Sequence, residues 1–193
     1  MTDLIKQSEE LQKEGMSFLK NIRLIEELSK YGDPKIVGSM DSGLMTWRDI
    51  DIEIEKEELS ENDYWQAVKF IFYLTNHYHN TFIQDFRGSK NPNTPKGLYI
   101  GAKIDYEGHE WKIDIWFFKP GDHQEPNYSN WIKGKLNNEN RKVILEIKDQ
   151  IFENPKYRKS IFSVDIYKAV IDENVKDFEG FEKYLTKSGR SLN

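Results

Sequence analysis

A strict two-residue alternation marks the centre of the chain. From Arg48 to Glu55, isoleucines stand at 50, 52 and 54 and acids at 49, 51, 53 and 55. That period predicts a half-buried strand with one apolar and one acidic face. The first thirty residues follow a helical period instead. Leu4, Ile5, Leu11, Met16, Phe18, Leu19, Ile22, Leu24, Ile25 and Leu28 recur at roughly helical spacing, with an interruption near Gly15. Gly32 and Pro34 stop that stretch, and a short strand from Lys35 to Gly38 ends in a Gly-Ser turn. Ser60 with Asp63 suits the start of a helix running to about His79. Phe82 to Phe86 reads as a strand, and Arg87 to Lys96, with two prolines, as a loop. Gly97 to Tyr106 and His109 to Phe118 then predict a hairpin turned at Glu107-Gly108. Past Pro120 the spacing becomes helical over 137–153, 160–172 and 176–187.

This order predicts an α+β fold: a small mixed β-sheet core flanked by helices over residues 1–120, and a helical C-terminal region, 121–193, packed on it. Composition sharpens the picture in three ways. Hydrophobic residues make up 37% of the 193 and aromatics 13%, enough for a core, while 32% charged residues describe a well-solvated surface. No run approaches the roughly 18 apolar residues of a membrane span. The polar, acidic start MTDLIKQSEELQKEG lacks the features of a signal peptide, so the expected location is cytoplasmic. The chain has no cysteine, which removes disulfides, thiolate nucleophiles and Cys-ligated zinc together. A net charge of -5 weighs against non-specific nucleic-acid binding.

Candidate chemistry begins with Asp49 and Asp51. On a strand they point to the same side, about 7 Å apart. Two such carboxylates repel unless a positive charge lies between them, and a hard divalent cation with oxygen ligands is a natural partner. Just upstream, Gly38 would let the backbone approach a phosphate, and Ser39 adds a hydroxyl and an N–H donor. The two features are separated by nine residues, Met40 to Arg48. Asp114 sits in Trp111-Lys-Ile-Asp-Ile-Trp116, apolar surroundings in which a lone carboxylate is costly unless paired or metal-bound.

Val37-Gly38-Ser39, a nine-residue spacer, Asp49-Ile50-Asp51 and a later strand aspartate resemble the nucleotidyltransferase-fold superfamily, which includes polymerase beta-like enzymes and the aminoglycoside and lincosamide nucleotidyltransferases. The resemblance covers roughly residues 15 to 118. It implies that Asp49 and Asp51 bind Mg²⁺ bridging a nucleoside triphosphate such as ATP. It also implies that Asp114 helps hold a second Mg²⁺ or acts as general base. Gly38 and Ser39 would grip the terminal phosphates. The implied reaction is in-line transfer of a nucleoside monophosphate to an acceptor hydroxyl, with release of pyrophosphate and two cations about 4 Å apart.

Other residues have readings of their own. Asp105, on the preceding hairpin strand, competes with Asp114 as the third carboxylate, but it lies beside the turn, where an aspartate is ordinary. Arg48 either contacts phosphate or neutralises the neighbouring acids. Lys35 and Arg87 are weaker phosphate candidates, and turn chemistry accounts equally well for Asp41, Ser42 and Gly43. His77, His79, His109 and His123 read as structural or exposed. Trp111, Trp116, Phe117 and Phe118 read as core or pocket wall, and Tyr157-Arg158-Lys159 as a solvated helix start, with part of an acceptor pocket as the alternative.

For the acceptor, the first reading is a small molecule, because about 75 helical residues beyond the core leave little room for a template-handling domain. A tRNA end or a protein hydroxyl, as for toxin-like nucleotidyltransferases, is the alternative. Lys133, Lys135, Arg141 and Lys142 would be its basic cluster, diluted by Glu139 and Glu146. A nucleotide-binding member without turnover is the third reading. A chain this small is also compatible with a homodimer that completes the site.

Overall fold

The computed structural model describes residues 3–58, 60–75, 80–91, 94–122 and 128–192. In chain order these form α1 (Leu4–Asn21), α2 (Leu24–Leu28), β1 (Asp33–Val37), α3 (Gly38–Ser42), β2 (Asp49–Glu55) and α4 (Glu61–Thr75). There follow β3 (Thr81–Asp85), β4 (Leu98–Tyr106), β5 (His109–Phe118), α5 (Tyr128–Lys133), α6 (Asn138–Ile151), α7 (Ser163–Ile171) and α8 (Phe178–Lys187). The strands make one mixed sheet in the order β1-β2-β5-β4-β3, in which only β2 and β5 run parallel. The expected α+β fold, a small mixed sheet flanked by helices, is the one observed.

Alternation places the strands. Ile50, Ile52 and Ile54 are fully buried, as are Ile113, Ile115 and Phe117 on β5 and Ile100 on β4. They form one core with Leu11, Phe18, Leu24 and Leu28 of the N-terminal helices and Tyr64, Ala67 and Ile71 of α4. The opposite sheet face carries Asp49, Asp51, Lys112, Asp114, Trp116 and Tyr99. One face is thus spent on stability, and the other is left for polar chemistry. A second cluster joins α6, α7 and α8 through Ile144, Ile147, Ile166 and Phe181, and it takes in Leu44 from the loop before β2. The helical layer meets the sheet core at that loop and along α1, whose Leu4 and Ile5 pack against it.

Local sequence accounts for most boundaries. Asp3 caps α1 through Lys6 N, Asn137 and Asn140 form a reciprocal capping box at α6, and Asp177 caps α8. Glu107 (φ 50) and Gly108 (φ 78) both lie in the left-handed region, the geometry of a two-residue hairpin turn joining Tyr106 to His109.

Three expectations change. Helix α1 runs unbroken through Gly15, because the missing side chain there is a packing device: a Cβ would press on Met40 and Trp111 at 3.1–3.2 Å. The break falls instead at Arg23, which has a left-handed φ of 57. Gly38 does not close the preceding strand but opens the short helix α3. A further short helix, α5, precedes the three expected in the C-terminal region. The proposed helix end at His79, and His77 and His123, lie outside the described residues. Among the described residues no helix is long and apolar enough to cross a membrane.

Candidate active site

The parallel pairing of β2 and β5 sets Asp51 directly opposite Asp114, and Asp49 opposite Lys112. Residues 51 and 114 therefore project from adjacent strands at the same level on the open face, with Asp49 one pleat away. The crossover that brings these strands together holds α4, β3 and β4, so the proximity is invisible in local sequence. Asp105, the competing candidate, is exposed at the turn end of the hairpin, opposite Glu110 and away from the acidic pair.

Asp49 is held on both sides. The Trp47 indole donates to Oδ2 at 3.2 Å, and the Lys112 ammonium to Oδ1 at 3.1 Å. The same ammonium donates to Asp114 Oδ2 at 2.5 Å, and the Tyr99 hydroxyl donates to Asp114 Oδ1 at 2.7 Å. Among the described residues Asp51 receives no such donor. Desolvation, then the negative charges of Asp49 and Asp114, push its pKa up to about 8. Burial pulls the Lys112 ammonium down, but Asp49 and Asp114 outweigh it and raise its pKa above the ordinary lysine range. Burial and the charge of Asp114 likewise keep the Tyr99 phenol protonated.

The start of α3 closes one side. Gly38 has φ 68, and a Cβ there would collide with Asp51 Oδ2, so only glycine lets this backbone lie against the carboxylate. Ser42 Oγ donates to Gly38 O at 2.8 Å and Leu44 N to Ser39 O at 2.8 Å, tying the turn together. Behind it, the Lys148 ammonium of α6 is fully buried and donates to Leu44 O at 2.5 Å, 4.7 Å from the Trp47 ring centroid. Burial lowers its pKa to about 7, against the pull of Asp49 and Asp51.

Other sequence candidates go elsewhere. Arg48 turns to the opposite sheet face, pairs with Glu14 of α1 at 2.8 Å and lies over Trp111, because the strand alternation that aims Asp49 into the site aims its neighbour out. Lys35 pairs with Glu55, and Arg87 with Asp85. Asp41 pairs with Lys133 at 2.5 Å. In the basic cluster, Lys135 meets Asp172, Arg141 meets Glu9 and Lys142 lies 3.8 Å from Glu146, so acids answer each charge. His109 is exposed. Trp111, Phe117 and Phe118 are buried, whereas Trp116 is half-buried on the site face, 4.8 Å from Tyr99. Arg158 is no plain solvated start: its guanidinium lies over Trp47, Phe152 and Tyr157 at 5.1–5.8 Å.

Lys112, Tyr99, Trp47 and Lys148 escaped the sequence reading. Two carried a signal. Lys112 shares the parity of Asp114, and Lys148 interrupts the apolar stripe Ile144, Ile147, Ile151.

The donors are of the type a hard divalent ion takes: three carboxyl groups, with a cation already lodged between Asp49 and Asp114. Among the described residues no three carboxylates converge closely enough to form a finished cage. The Lys112 ammonium occupies the intervening space between Asp49 and Asp114. Beside Asp114, a groove of about 260 Å³ is lined by Phe82, Tyr99, Gly101, Lys103 and Lys112.

No family model and no curated protein matches the chain. Solved structures do. A cytoplasmic RNA terminal U-transferase aligns over 87% of this chain and 52% of its own, with TM-score 0.52 and 14% identity. The Cid1 poly(U) polymerase aligns over 82% and 48%, with TM-score 0.54 and 15% identity. The non-canonical poly(A) polymerase complex GLD-2–GLD-3 aligns over 89% and 58%, with TM-score 0.51 and 12% identity. The chain has the polymerase beta-like nucleotidyltransferase fold, and spans about half the length of these solved chains.

Proposed function

We propose that this protein is a nucleotidyltransferase that transfers a nucleoside monophosphate from a nucleoside triphosphate to an acceptor hydroxyl, with Asp49, Asp51 and Asp114 as its metal-binding carboxylates. The observation that carries the reading is the register of Asp51 opposite Asp114, with Gly38 lying against the Asp51 carboxylate. Mg²⁺ bound by these carboxylates would supply the positive charge that stabilises phosphoryl oxygens in the transition state.

The chain's own groups divide the remaining work. Backbone N–H groups at the start of α3 and the Ser39 hydroxyl face the terminal phosphates. Trp47 fixes the Asp49 carboxylate through its indole N–H. Tyr99 fixes Asp114, which on this reading takes the proton of the acceptor hydroxyl. The groove beside Asp114, a little below the usual size of ligand sites, supports a small acceptor over a large one. The pairing of Lys133, Lys135 and Arg141 with acids supports the same reading over an RNA track.

The test is calorimetric titration of ATP, GTP, CTP and UTP, with and without Mg²⁺, into the wild type and the Asp49→Asn/Asp51→Asn double variant. Magnesium-dependent binding to the wild type, lost in the folded double variant, is expected. Equal binding by both proteins would sink the assignment.

A further inference from the structure

Lys112 is placed where a metal ion would compete with it. It stands two residues before Asp114 on β5 and opposite Asp49 on β2, so the pleat sends its ammonium between the two carboxylates. Its contacts, 3.1 Å to Asp49 Oδ1 and 2.5 Å to Asp114 Oδ2, use oxygens that a bound divalent ion would claim at about 2.1 Å. Among other described cations nearby, Arg48 pairs with Glu14, Lys103 with Glu110, Lys148 donates to the Leu44 carbonyl, and Arg158 lies over the Trp47 ring.

Resting on the nucleotidyltransferase reading above, we propose that Lys112 is a built-in competitor of the divalent ion. It offsets part of the charge of Asp49 and Asp114 in the metal-free protein and has to be displaced before an ion can use both. Electrostatics gives the reason for such a group. Carboxyl groups gathered on one sheet face repel one another when charged, and an internal cation offsets that repulsion in the metal-free site. A lysine suits the task better than an arginine. Its single ammonium on a flexible stem can leave, whereas a bidentate guanidinium would lock the pair.

The exit is present too. The Lys112 side chain is 41% exposed and lines the groove shared with Phe82, Tyr99 and Lys103, so its stem can swing outward without unpacking the core. Asp51 accepts no hydrogen bond from a cation among the described residues, so its oxygens are the ones an arriving ion reaches without displacing the lysine. The device sets a threshold: the site accepts an ion only where its concentration is high enough to outbid the lysine.

Manganese binding followed by electron paramagnetic resonance tests this directly, using wild type and Lys112→Met with Mn²⁺ alone. Removing a competing charged hydrogen-bond donor is expected to tighten Mn²⁺ binding about tenfold. It should also lower the melting temperature of the metal-free variant, with the deficit recovered on adding Mn²⁺. Equal or weaker binding by Lys112→Met overturns the competitor role while leaving the metal site in place. Absence of Mn²⁺ binding in both proteins overturns the metal reading and this inference with it. A measurement on the wild type alone guards against a variant that fails to fold. Acetylation of Lys112, read by mass spectrometry, is expected to rise several-fold when Mn²⁺ is added, and an unchanged rate overturns the proposal.

Discussion

The Tyr99 ring lies across Gly101 and delivers its hydroxyl to Asp114 Oδ1 at 2.7 Å. A Cβ at position 101 would run into that hydroxyl, so the glycine and the tyrosine act as one unit. The pair fixes the carboxylate that lines the groove beside β4.

Tyr99→Phe removes the hydroxyl and keeps the ring against Trp116, 4.8 Å away. Loss of one hydrogen bond to a charged group is expected to cost about 1.5–3 kcal/mol at Asp114. In nucleotide-transfer assays turnover should fall roughly tenfold or more, with little change in triphosphate affinity. A fall in affinity alone would mean that Tyr99 contacts the nucleotide rather than orienting Asp114.

Asp114→Asn and Asp105→Asn separate the two aspartates of the hairpin. The first is expected to reduce transfer by at least about 100-fold, as loss of a positioned general base or metal ligand does. The second should leave the rate within about twofold, because Asp105 is exposed beside the turn and far from β2. The reverse order in a steady-state comparison would show that the acceptor side of the site lies at the other end of the hairpin.

Gly38→Ala forces a side chain into a left-handed backbone and onto the Asp51 carboxylate. The strain alone is about 1–2 kcal/mol, or roughly 2–8 °C of melting temperature for a domain of this size. Triphosphate binding by calorimetry should weaken as well. A variant that melts lower but binds unchanged would reduce Gly38 to a turn residue.

Lys148 makes stability depend on pH with a definite sign. Its folded pKa of about 7 lies below the ordinary lysine value of 10.5. Between the two values the unfolded chain binds one more proton than the folded one, so this residue's contribution rises with pH through that window. Below pH ~7 both forms are charged, and the full burial penalty remains. Lys148→Met should therefore raise the melting temperature, relative to wild type, more at pH 6 than at pH 9.5. A larger gain at the higher pH would contradict the buried, depressed lysine.

Much of this molecule can be read from local pattern, and the reasons differ by element. Ile50, Ile52 and Ile54 against Asp49, Asp51 and Glu53 state the strand, its faces and the acidic pair in one heptapeptide. Glu107-Gly108 states the hairpin turn. Pairing between distant strands has no such signature. That Asp114 faces Asp51 can be expected from resemblance, but that Lys112 faces Asp49 follows only from the β2–β5 register. The charge of Arg48 suits either phosphate or the neighbouring acids, whereas strand parity turns it to the other face and to Glu14. Gly15 misled because helix propensity counts glycine as a defect, whereas here close passage over Trp111 outweighs that cost.

The loop from Gly43 to Arg48 is gripped by the helical layer at two consecutive carbonyls: Arg141 takes Gly43 O and Lys148 takes Leu44 O. Three residues later the Trp47 indole holds Asp49. The lever is short and has few soft joints. Through these contacts the seating of α6 bears on the Asp49 end of β2, whereas Asp114 is anchored within the neighbouring hairpin. The spacing of those two carboxylates thus depends on how the helical layer seats against the sheet, and not on the sheet alone.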